Sequence, residues 1–210
     1  MPQAKHAPST PQRLLKTARA LFADRGFYGV SIANIADEHG LTKQALLHHF
    51  PSKEVLYGQV LKDVSEALEG QLAAACLAGE TPRTQLKVFF TALAEKPDDT
   101  VISIRLIMRE LLDNHQRSER ATTWYLKPFL TTLVKMVKTV PGWSDAHDAE
   151  VLAVVYQLLG SVSYYAVSGP TLQGIFGKSK VSKLQTVFPV RFEALIDAAF
   201  DAPPHAPSKI

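Results

Sequence analysis

Between Gly40 and Phe50 the chain reads L-T-K-Q-A-L-L-H-H. Laid on a helix of about 3.6 residues per turn, and with Leu46 and His49 turned inward, this run sends Thr42, Lys43, Gln44, Leu47 and His48 outward. Those side chains suit the edge of a polynucleotide. Lys43 can donate to guanine O6 and N7, and Gln44 can pair with adenine N6 and N7. Ala45 and Leu47 can touch a thymine methyl, and His48 reaches a phosphate or a base. Thr42, with the free N–H groups of a helix start, suits a backbone phosphate.

The elements that must hold these groups follow from the residues before them. Residues 31–50, SIANIADEHGLTKQALLHHF, describe two short helices around a tight turn. Ser31 and Thr42 are placed to cap them. Ala36 is small where the helices cross, and Gly40 can take a left-handed backbone. Ile32, Ile35, Leu41 and Leu46 are apolar where both helices bury against an earlier one. That spacing is a helix-turn-helix, whose second helix fits a major groove about 12 Å wide.

The rest of the chain reads as helix with no period-two strand. A first helix runs from Ser9 or Thr10 to Gly26, with Pro11 in its first turn. Ser52 caps a long fourth helix with the stripe Val55, Leu56, Val60, Val64, Leu68 and Leu72, closed by Gly79 and Pro82. Further helices are expected over 82–94, 98–114 and 118–140, the last kinked at Pro128. Another is expected from a Ser144 cap to Ser168. A loop then spans 169–183, and a final helix covers 186–200. The fold class is all-α. The expected divisions are a disordered tail over 1–9, a DNA-binding unit over 10–54, a ligand-binding and dimerisation unit over 55–201, and a second tail over 202–210.

Three motifs join these pieces. A-x-x-L-F-x-x-x-G-F runs from Ala18 to Phe27, S-I-x-x-I-A-x-x-x-G-L-T from Ser31 to Thr42, and L-x-x-H-F-x-S-K-E-x-L from Leu46 to Leu56. Residues 14–61 thereby resemble the N-terminal domain of the tetracycline-repressor (TetR) family of transcriptional regulators. The resemblance implies a homodimeric, all-helical repressor that binds an inverted-repeat operator in double-stranded DNA. It also implies a small effector in the C-terminal part that moves the fourth helix. Lys53 corresponds to the family's phosphate-contacting lysine, and Ser31 and Thr42 are further candidates. Gln44 stands where a small residue is common, and Leu47 where a tyrosine commonly touches phosphate.

Charge agrees with that division. Residues 1–63 hold eight basic and five acidic side chains, and the other 147 residues hold fifteen of each. The 46% hydrophobic content and 20% charge are those of a soluble globular protein. No signal peptide and no uninterrupted apolar run of bilayer length is read, so a cytoplasmic location without membrane association is expected. The single cysteine, Cys76, excludes a disulfide framework and is expected to be a small buried residue.

No cofactor, metal or catalytic machinery is expected. His48 and His49 are adjacent and diverge by about 100° on a helix. Gly177-Lys178-Ser179 lacks the earlier glycine of a phosphate loop, since position 172 is leucine. The effector is of unknown identity, with Phe89, Arg105, Met108, Trp124, Phe129 and Tyr156 as candidate cavity residues. Arg105, among apolar neighbours in VISIRLIMRELLDN, reads either as an anchor for an anionic or carbonyl group or as an internal ion pair or snorkelling side chain. The apolar run VLAVVYQLLGSVSYYAVS reads as a helix buried on all sides, its outer face covered by a second subunit. The competing assignments are a small-molecule carrier or enzyme on the same helical scaffold, and a protein-interaction module whose reading helix does not touch DNA.

Overall fold

The short helices form where the side chains supply their own caps. In the computed structural model, which describes residues 10–95, 98–113 and 125–202, the Ser31 hydroxyl accepts the Asn34 N–H at 3.1 Å and closes a capping box. Thr42 accepts from Ala45 N–H and Ser52 from Val55 N–H, each at 3.2 Å. Thr81 and Thr84 form a second capping box on either side of Pro82. Each cap satisfies a backbone donor that the helix start leaves without a partner.

Nine helices are present among the described residues. They are α1 (Thr10–Arg25), α2 (Ile32–Asp37), α3 (Lys43–His49), α4 (Lys53–Ala78), α5 (Pro82–Ala94), α6 (Asp98–Asp113), α7 (Lys127–Lys138), α8 (Asp148–Phe176) and α9 (Lys178–Asp201). No strand occurs among those residues. The all-α expectation and the order of the first six helices hold.

One apolar core runs through the molecule. It passes from Leu14, Phe22, Ile35 and Leu46 through Leu56, Val64 and Leu72 to Leu86, Leu133, Val155 and Phe200. α4 packs against α1 on one side and α5 and α7 on the other, and α6 lies between α1 and α8. The α5–α9 seam carries an ionic cluster, with Lys87 Nζ 2.8 Å from Asp197 and 3.0 Å from Glu193, and Arg83 Nη1 2.6 Å from Asp201. These contacts hold the Lys87 ammonium and the Arg83 guanidinium above their usual pKa ranges and the Asp201 carboxyl below its own, chiefly through the hydrogen bonds.

Several expectations fail for identifiable reasons. Pro128 stands in the first turn of α7, where its missing N–H costs nothing, and it starts that helix where a mid-helix kink was expected. Residues 114–124, which include the first seven of the expected 118–140 helix, lie outside the described residues, as do the two terminal tails apart from Ala202. His147, not Ser144, caps α8. The expected loop over 169–183 is almost wholly helical, because α8 continues through Gly169 and Pro170 with α9 packed alongside it. Tyr165 stacks on Phe188 with ring centroids 3.6 Å apart. The break is one residue, Gly177, at φ +81°.

Val55, placed on the buried stripe of α4, is 51% exposed, and Cys76 is exposed with its Sγ 3.8 Å from Met136 Sδ. By length and composition α8 could cross a membrane, contrary to the expectation, yet it packs against α5, α6, α7 and α9, as a core helix does.

Candidate nucleic-acid interface and cavity

The turn between α2 and α3 is built from backbone geometry. Leu41 N–H donates to Ala36 O and Gly40 N–H to Asp37 O, both at 3.0 Å, a Schellman pattern with Gly40 at φ +63°. Thr17 Oγ1 and His39 Nε2, 2.8 Å apart, brace the turn against α1. Fully buried Leu46 seats α3, and Leu47 packs half-buried beside it.

This seating exposes Thr42, Lys43, Gln44 and His48 on one outward surface. Ala45 is half-buried. His49, expected to face inward, is exposed, and half-buried Leu47 turns further toward the core than expected. In a helix of seven residues the rotation is set by one anchor, Leu46, and the core takes Leu47 with it.

The hydrogen bonds limit what each group can still do. The Thr42 hydroxyl accepts one bond in the cap and keeps its proton for a phosphate. The Ser31 hydroxyl already donates to Asn34 Oδ1 at 2.6 Å, so a phosphate there must displace Asn34. Lys53 Nζ donates to Val30 O at 2.8 Å and lies 4.2 Å from the centre of the Phe27 ring. Its ammonium is thus pinned, with donors to spare. Ser31, Lys43 and Lys53 share a concave surface with Tyr28 and Asn34. Tyr28 is 78% exposed and was not anticipated. Its signal was the G-F-Y-G run, in which a Cβ at Gly29 would fall 2.3 Å from Arg25 O and the chain must turn tightly.

A cavity of about 230 Å³ lies in the C-terminal part. Leu68 of α4 and Leu93 of α5 contribute to its wall, with Ile104, Ile107, Met108 and Leu111 of α6. Leu126, Phe129 and Leu130 line it from α7 and its start, and Tyr156, Leu159, Gly160, Val162 and Ser163 from α8. Three of the anticipated residues, Met108, Phe129 and Tyr156, therefore line one space. Phe89 does not; it is buried in the core, its ring centroid 5.9 Å from that of Phe129. Arg105 is half-buried on α6 outside the lining, and Trp124 lies outside the described residues. No group of three or more metal-ligating side chains occurs among the described residues.

One turn of α6 has two faces. Ile107, Met108 and Leu111 line the cavity. Between them, Arg109 donates from Nε to Ala23 O at 2.9 Å and from Nη2 to Asp24 O at 2.5 Å, at the last carbonyls of α1. Glu110, buried, accepts from the Tyr57 hydroxyl of α4 at 2.7 Å. Arg19 of α1 also pairs with Asp99 at the start of α6, at 2.7 Å. The cavity wall is thereby bonded to the helices that carry the reading head.

Comparison with known proteins agrees with this arrangement. Residues 14–60 match the sequence model for "Bacterial regulatory proteins, tetR family". The chain is 34% identical over 96 residues to the HTH-type transcriptional repressor KstR2 of Mycolicibacterium smegmatis, covering 42% of this chain and 47% of that protein. The chain thus spans about half the length of the KstR2 relatives it matches. It is 25% identical over 167 residues to the HTH-type transcriptional regulator RutR of Escherichia coli, covering 78% of this chain and 77% of that one. The fold is similar to that of the ketosteroid transcriptional regulator KstR2 of Mycobacterium tuberculosis, with TM-score 0.59, 19% identity and coverage of 91% and 96%.

Proposed function

We propose that this chain, which belongs to the TetR family of bacterial transcriptional regulators, binds an inverted-repeat operator as a homodimeric repressor and is released by a small effector. The observation that carries the reading is the exposed surface of Thr42, Lys43, Gln44 and His48 on a helix seated by Leu46, beside a concavity flanked by Lys43 and Lys53. Lys43 and Gln44 read base edges. Thr42, Lys53 and, after exchange with Asn34, Ser31 hold phosphates. His48 contacts either, Ala45 offers a methyl surface, and Leu47 serves mainly to seat α3. The reading unit covers residues 10–54 and the effector and dimer unit 55–201, and the protein acts in the cytoplasm, where its DNA is.

A second copy is supported by the outer faces of α8 and α9. Leu152 and Tyr164 on one helix, and Val187, Val190 and Leu195 on the other, are exposed apolar side chains. Two-fold pairing of such faces buries them and sets two α3 helices against successive major grooves.

The effector acts by population shift: it must bind the DNA-incompetent arrangement more tightly than the competent one. Its route here is α6, whose turn at residues 107–111 touches the cavity, α1 and α4 together. A footprint on the DNA upstream of its own gene tests the reading. A protected palindrome is expected, whereas equal affinity for that palindrome and scrambled duplex at physiological salt overturns it.

A further inference from the structure

We infer that the cavity between α6, α7 and α8 takes an uncharged, compact, largely apolar molecule of one or two rings, with a single polar group directed at α8. The inference rests on the effector reading above and adds the chemistry of the ligand.

Charge is the first discriminator. None of the described lining residues is Lys, Arg, His, Asp or Glu. A charged ligand entering this space would lose its hydration without gaining a counterion from the described lining, which is far costlier than burying a neutral group. Arg105 is the cation on α6 that could have answered an anion, and it stands outside the lining.

Polarity and size follow. The side-chain hydroxyls of the described lining are those of Tyr156 and Ser163, seven residues apart and so on one face of α8. Each can donate and accept. Ile104, Met108 and Leu130 line the same space from α6 and α7. A ligand therefore turns a hydroxyl or carbonyl toward α8 and its apolar body toward α6 and α7. An apolar protein cavity of about 150 Å³ holds one benzene. The 230 Å³ here therefore fits a substituted monocycle or a bicycle, and is too small to enclose a nucleotide.

The test is thermal unfolding of the full chain without DNA, using 2-naphthol and the anion 2-naphthoate, with 2-naphthamide, the neutral isostere of that anion, and indole as further neutral probes. At about a hundredfold excess over Kd, 2-naphthol should raise the midpoint by roughly 5–10 °C. 2-Naphthoate should give less than about a fifth of that rise. Met108→Trp and Leu130→Trp each fill the space and should abolish the response while retaining helical circular dichroism; either folded variant suffices. An equal or larger rise with 2-naphthoate, a rise that persists in the filled variants, or no rise with all three neutral probes overturns the inference. Operator affinity is read separately. A neutral ligand that binds without changing it leaves the cavity chemistry standing and defeats the effector reading.

Discussion

On the proposed reading, Gln44 and Lys53 divide the two jobs of the interface. Gln44 is exposed on α3 and carries both a donor and an acceptor, so Gln44→Ala should change base preference at one operator position and spare the rest. A panel of single-base operator variants measures this, and uniform loss at every position would remove Gln44 from base reading. Lys53 is held by Val30 O and Phe27. Lys53→Met keeps the stem and removes the charge. It should weaken binding to all duplexes alike and reduce the slope of log K against log salt by about 1. An unchanged salt slope would mean that the ammonium serves only to brace the turn. Leu47 shows why side-chain type alone misleads: the same leucine that could touch a thymine methyl is partly consumed by packing.

In the proposed mechanism, two helix junctions carry the mechanics. At Gly40 the backbone has φ +63°, where a Cβ is strained although nothing crowds it. Gly40→Ala should cost about 1 kcal/mol and loosen α3, seen as a lower denaturation midpoint and weaker operator binding together. At α6, Arg109 bonds the last carbonyls of α1 through two contacts from a charged donor. Arg109→Met should lower stability by about 1–2 kcal/mol, since Arg109 is half-exposed. It should also reduce the factor by which an effector alters DNA affinity. Full retention of that factor, measured by titrating DNA binding with and without ligand, would place the route elsewhere. The caps at Ser31, Thr42 and Ser52, the turn and the first six helices were legible because their interactions span at most five residues. The rotation of α3 and the length of α8 were not, because both depend on neighbours far along the chain.

Assembly and pH response belong to the molecule taken together. Tyr164 is 70% and Val190 66% exposed on the outer faces of α8 and α9. Val190→Glu should convert a dimer to a monomer in sedimentation and weaken palindrome binding more than half-site binding; a variant that stays dimeric would relocate the interface. The hydrogen bonds from Lys138 and Arg83 hold the Asp148 and Asp201 carboxyls below the usual carboxylate range. A depressed carboxyl stabilises the fold above its unfolded pKa, and that contribution is lost as pH falls through the folded value. Unfolding midpoints should therefore fall modestly on acidification below about pH 4, and Asp201→Asn should shallow that limb. Lys87, whose pKa is raised, contributes below the unfolded lysine value and loses its contribution as pH climbs through its folded one. An identical acid limb in Asp201→Asn would deny the α5–α9 pair any part in stability.

Helix type, the caps at Ser31, Thr42 and Ser52, the left-handed turn at Gly40 and the polar set on α3 were readable from residue types and spacing. Each is an interaction between close neighbours in the chain, and the chain carries both partners in order. Which face of α3 the core would claim, that Phe89 would pack behind the cavity wall while Phe129 lines it, and that α8 would run through Gly169 and Pro170 all required three-dimensional packing. Local preference opposes a proline within a helix, at a cost of about 3 kcal/mol, and only a partner such as α9, laid along its length, offsets that cost.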